Sequence, residues 1–72
     1  MTIDEKISKH LREIIKNKFG TIKNAAIDLK MNERYLENLV HKIKKGEYPS
    51  VKRLKEIAKI CDCEFTDFFK VD

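Results

Sequence analysis

The sequence predicts an all-α domain, a compact bundle of four to five short helices. Apolar residues recur every three to four positions along most of the chain, and no alternating stretch argues for a strand. Between Phe19 and Val40, in FGTIKNAAIDLKMNERYLENLV, the spacing describes two short helices joined by a tight turn.

Thr2 followed by Glu5 is a capping box, and Ile7, Leu11, Ile14 and Ile15 follow at helical spacing, so the first helix is expected over about Ile3 to Lys18. Gly20 ends it, because glycine accepts the left-handed backbone that closes a helix. Thr21 caps a short second helix, Ile22 to Leu29, in which Ala25 and Ala26 are small enough for a close crossing. Lys30 and Met31 form the turn. Asn32 caps a third helix over about Glu33 to Lys45, with Leu36, Leu39, Val40 and Ile43 in one seam and Gly46 as its stop. After Glu47-Tyr48-Pro49, Ser50 caps a fourth helix whose Val51, Leu54, Ile57, Ala58 and Cys61 are expected on one buried face. A short fifth helix over about Phe65 to Lys70 closes the fold.

The 72 residues make one domain, 1–72, with room for a single core and little for an enclosed pocket. An apolar fraction of 42% is too high for a disordered chain. The net charge of +4 favours a polyanionic partner, and its distribution is uneven. From Lys42 to Lys59 seven basic residues face two acidic ones, a net of +5, whereas from Ile60 onward Asp62, Glu64, Asp67 and Asp72 oppose Lys70 alone. No apolar run approaches the roughly 18 to 20 residues that span a bilayer, and the N-terminus has no signal-type segment, so a cytoplasmic location and no membrane partner are expected. Cys61 and Cys63 would close only a very small, strained ring, and are expected as packing thiols.

The third helix carries the functional signal. At 100° per residue, the side opposite the apolar seam presents Arg34, Asn38, His41 and Lys45, a stripe of long donors without a carboxylate. Glu33, Glu37 and Lys44 lie on one flank, Tyr35 and Lys42 on the other. Any solvated helix shows polar residues opposite its core; here the stripe follows a second helix that crosses closely, the layout of a helix-turn-helix. In a major groove Arg forks onto guanine and Asn onto adenine, and Glu33 is placed to accept from cytosine. Thr21 and Asn32 put two capped helix N-termini, each suited to a backbone phosphate, on the same molecule.

These residues resemble the Cro and lambda-type repressor (XRE-like) helix-turn-helix family over nearly the whole chain. LREII at Leu11 to Ile15 is similar to the end of that family's first helix, FGT at Phe19 to Thr21 to its entry to helix 2, and Pro49-Ser50-Val51 through Phe69 to its last two helices. The resemblance implies a lambda repressor-like DNA-binding domain, with Glu33, Arg34 and Asn38 at base-reading positions and His41 continuing that stripe. Thr21, Lys23, Asn24, Asn32, Lys42, Lys44 and Lys45 would hold phosphates. It further implies a sequence-specific transcriptional regulator, a small phage- or bacterial-type repressor that binds double-stranded DNA, needs no cofactor and works as a homodimer on a palindromic site. The chain departs from the family at Ile22, where a Gln is common, at Lys30, where a turn Gly is usual, and in a third helix about one turn longer. At Ile15 and Val40 two apolar residues replace an Arg–Glu pair, and their joint change supports the alignment.

Other chemistries find less support. His10, His41, Cys61 and Cys63 have no recognised zinc spacing, and no nucleophile triad, Gly-rich phosphate loop or carboxylate pair stands out, so neither a metal site nor an enzyme is expected. Phe65, Phe68 and Phe69 either close the open end of the core or expose part of their surface to a second copy as a dimer interface. The competing functional reading is a protein-binding module on the same fold, an antitoxin or an antagonist of another regulator, motivated by Glu33 and Glu37 on the third helix.

Overall fold

The threonine hydroxyl of Thr2 accepts the Glu5 N–H at 3.2 Å while the Glu5 carboxylate accepts the Thr2 N–H at 3.0 Å, so the capping box starts α1 (Ile3–Phe19). The computed structural model describes residues 1–71; Asp72, counted above in the acidic end, lies outside the described residues. α1 is followed by α2 (Ile22–Leu29), α3 (Glu33–Lys44), α4 (Val51–Ile60) and a 3₁₀ helix (Phe65–Phe69), with no strand among the described residues. The chain is thus an all-α bundle, about 30 × 23 × 22 Å.

Local chemistry sets each boundary. Gly20 closes α1 at φ 84°, its N–H donating to the Lys16 carbonyl at 2.7 Å. Thr21 accepts the Asn24 N–H at 3.1 Å, Asn32 the Arg34 N–H at 2.7 Å and Ser50 the Arg53 N–H at 3.2 Å, so all three expected caps are made. Lys30 takes a left-handed backbone, φ 55° and ψ 43°. The Met31 N–H reaches back to the Ala26 carbonyl at 3.0 Å, which completes a Schellman-type end to α2. That conformation costs a non-glycine residue roughly 1 kcal/mol, and the hydrogen bonds it closes hold the turn that launches α3.

The core is a single cluster drawn from every element. Ile7, Leu11 and Ile15 come from α1; Ile22, Ala25 and Ala26 from α2; Leu36, Leu39, Val40 and Ile43 from α3; Leu54, Ile57 and Ala58 from α4; and Cys61 and Phe68 from the C-terminal segment. α1 and α3 form its most extensive pairing. Ile15 and Val40 are both fully enclosed in the core. One polar group enters this seam: Ser8 is buried and its hydroxyl donates to the Val40 carbonyl at 2.7 Å.

Three expectations need correction, and one left open is decided. α3 ends at Lys44, with Lys45 as its cap residue. The last element is a 3₁₀ helix ending at Phe69, with i→i+3 bonds from the Asp67 N–H to the Glu64 carbonyl at 3.0 Å and from the Lys70 N–H to the Asp67 carbonyl at 3.3 Å. Val51 is 54% exposed: it opens α4 at the edge of the apolar arc and turns toward Lys55 and Lys59. Phe68 is fully buried and belongs to the core, so of the three aromatics proposed for a dimer contact only Phe69, exposed, and Phe65, half-buried, present surface.

Replacing Val40 by Glu should lower stability by about 3–5 kcal/mol, the cost of an unpaired buried charge, and lower the melting temperature by well over 10 °C on the usual scaling of about 4–8 °C per kcal/mol. Thermal unfolding followed by circular dichroism checks this, and an unchanged Tm contradicts the α1–α3 packing. Phe68→Asp should yield an unfolded chain; a folded monomer in light scattering would return Phe68 to an intersubunit contact.

Candidate nucleic-acid interface

Burial of Leu36, Leu39, Val40 and Ile43 turns the opposite side of α3 outward, and Arg34, Asn38, His41 and Lys45 are all exposed. The stripe forms a ridge with a groove on each side. One groove, about 280 Å³, lies between α1 and α3 and is lined by Met1, Glu5, Ser8, Lys9, Arg12, His41 and Lys44. The other, about 330 Å³, runs between α3 and the following loop and is lined by Tyr35, Asn38, Leu39, Lys42, Glu47, Tyr48 and Pro49. His41 and Asn38, both in the stripe, form the inner edges of the two grooves.

Of the four lysines expected to hold phosphates, the three near the end of α3 are therefore divided. Lys44 faces the α1 side, Lys42 faces the loop side, and Lys45 sits at the end of the ridge. Thr21, Lys23, Asn24 and Asn32 are exposed but line neither groove. Three of their side chains already have intramolecular work: the Thr21 hydroxyl and the Asn32 carbonyl serve as caps, and the Asn24 amide donates to the Phe19 carbonyl at 3.1 Å. Glu33 and Glu37 are exposed as well, and put negative charge on the N-terminal half of α3.

The tyrosines of the second groove are held from behind. The Arg53 guanidinium lies 5.8 Å from the Tyr35 ring centroid and also contacts Glu56 at 3.6 Å. Tyr48 packs its ring against Phe69, centroids 6.0 Å apart, and donates its hydroxyl to the Asp4 carboxylate. Partial burial, followed by that hydrogen bond and the nearby Asp4 charge, pushes the Tyr48 phenol up to about 12, so it stays a neutral donor across the physiological range. These contacts fix the loop that walls the groove.

The C-terminal segment is occupied by structural pairing. Lys70 bonds Asp67 at 2.8 Å, Asp67 also accepts the Glu64 N–H, and His10 Nε2 sits 2.9 Å from the Asp67 carbonyl oxygen. His10 is thus tied to the 3₁₀ segment. Burial pushes the Cys61 thiol up to about 11, and burial with the neighbouring acids raises Cys63, so both stay protonated near neutral pH. Among the described residues no group of three or more His, Cys, Asp or Glu could hold a metal ion.

Sequence reasoning missed Lys9, Arg12, Ser8 and Tyr48. The first three lie on α1 and become neighbours of α3 only because the helices pack; Lys9 and Arg12, three apart on a helix that also carries Glu5 and Glu13, gave no distinct signal. Tyr48 next to Pro49 read as loop. No helix among the described residues is long and apolar enough to cross a membrane. Comparison of the chain with protein-family models, curated proteins and solved structures finds no match.

Proposed function

We propose that this domain binds double-stranded DNA sequence-specifically and regulates transcription by occupying an operator, with α3 entering the major groove. The observation that carries this reading is the carboxylate-free ridge of Arg34, Asn38, His41 and Lys45 standing between two grooves. A helix with its side chains is about 10–12 Å across and the major groove about 12 Å wide, so a protruding ridge is the shape that reaches base edges. Arg34 is the strongest base reader of the four, because its planar fork matches the two acceptors of guanine. Asn38 suits adenine in the same way, His41 adds a further contact, and Glu33 accepts from cytosine if α3 penetrates by its N-terminal end.

Lys outnumbers Arg 13 to 3 in the chain, and ammonium groups act on phosphates as point charges. Most of the affinity is then electrostatic and falls steeply with salt. One ridge covers only a few base pairs, and a homodimer on a palindromic site supplies the rest, with Phe69 and the exposed part of Phe65 available for a self-contact.

Glu33 and Glu37, exposed on the first half of α3, favour a second reading in which the ridge and its tyrosine-walled groove bind a protein. Random duplex DNA titrated at two salt concentrations separates the two. Binding that weakens by tenfold or more between about 50 and 200 mM salt supports the nucleic-acid reading, and no binding at the lower salt favours a protein partner. Within the DNA reading, Arg34→Ala should reduce discrimination between a selected site and random DNA by about 1–3 kcal/mol. Lys44→Ala should weaken all duplexes alike and lower the salt slope by about 1, as measured by fluorescence anisotropy. The reverse pattern would contradict the assigned docking.

A further inference from the structure

The two grooves beside α3 differ in charge, and the difference assigns them different tasks. The α1-side groove gathers Lys9 and Arg12 from α1 with His41 and Lys44 from α3, against one carboxylate in its lining, Glu5; Glu37, on the Lys44 flank of α3, is exposed outside that lining. That carboxylate already accepts the Thr2 N–H and feels the Lys44 charge, and no direct salt bridge engages Lys9, Arg12 or Lys44 among the described residues. The loop-side groove offers Lys42 against Glu47, with two tyrosine rings. We infer that the α1–α3 groove seats the phosphate backbone of one DNA strand, gripped by Lys9 and Arg12 across from His41 and Lys44; this rests on the reading of α3 as the groove-entering helix.

A helix that nearly fills the major groove is bounded on both sides by phosphates, so each flank of the ridge meets one strand. His41 belongs to the ridge and lines the groove, which makes the base-reading surface and the phosphate seat continuous. The two cationic walls keep a fixed separation, because Ser8 on the groove floor is hydrogen-bonded to the Val40 carbonyl at 2.7 Å. Arg12 is half-buried, and its planar guanidinium gives up less freedom per hydrogen bond than a lysine ammonium when it binds an oxyanion. The strand on this side is held by charge. The strand on the other side meets Lys42 and the neutral tyrosines, and contributes less to salt dependence.

The test compares the wild-type chain, the double variant Lys9→Gln/Arg12→Gln, and a charge-matched control, Lys55→Gln/Lys59→Gln, whose residues lie on α4 in a surface depression that includes no α3 residue. Binding to a random duplex of about 20 base pairs is measured over a salt series, with Tm as the folding check. The groove variant should lose about two phosphate contacts, which lowers the slope of log K against log salt by about 1.8 and weakens binding at least tenfold, beyond the loss shown by the control. Its preference between duplex sequences should stay unchanged. Wild-type binding with a groove variant no weaker than the control overturns the phosphate seat and leaves the DNA reading standing; absence of wild-type binding at low salt overturns the DNA reading itself. Should Arg12→Gln lower the Tm, Lys9→Glu replaces the double variant, since Lys9 is exposed. Wild-type affinity in that variant also overturns the assignment.

Discussion

Burial of the α3 seam against α1 is the constraint from which the rest of the molecule follows. Leu36, Val40 and Ile43 are fully enclosed together with Leu11 and Ile15, and each such side chain contributes about 1.5–3 kcal/mol on leaving water. The Ser8–Val40 hydrogen bond contributes only about 1 kcal/mol net, so it does not drive the packing. Its role is register. A buried hydroxyl without its carbonyl would cost more than the bond supplies, which disfavours any sliding of α1 along α3.

That register decides the surface. Once the apolar seam of α3 is turned inward, the side opposite it is the one that carries Arg34, Asn38, His41 and Lys45, and α1 stands beside His41 and Lys44. On the other side Tyr48, tied to Asp4 and packed at a tilt against Phe69, brings the loop after α3 up against Lys42 and Tyr35. Asp4 belongs to α1 and Phe69 to the 3₁₀ helix, so the wall of the second groove is built from both ends of the chain. A ridge with two unlike grooves is therefore a product of the whole bundle rather than of α2, the turn and α3 alone.

Legibility in the sequence followed the range of the interaction. The caps at Thr2, Thr21, Asn32 and Ser50 were readable because a hydroxyl or amide acts on an N–H two or three residues away. The left-handed Lys30 was readable as a tight turn, although a lysine there carries no signal of its own. Val51 failed because helical periodicity assigns a direction to a side chain and says nothing of whether another element reaches far enough to cover it. Phe65, Phe68 and Phe69 were ambiguous for the same reason: three aromatics in five residues cannot all face inward, and only the approach of α1 and α4 selected Phe68.

The sequence by itself determined the four α-helices, their N-terminal caps, the core face of α3 and the stripe opposite it, since all of these depend on spacing within about a dozen residues. The tertiary structure alone decided that Lys9 and Arg12 join His41 and Lys44, that Lys42 and Lys44 part to opposite sides, and that Phe68 is core. Those outcomes depend on which helix packs on which and at what register, a choice made by the summed burial of many distant residues, which no local pattern records.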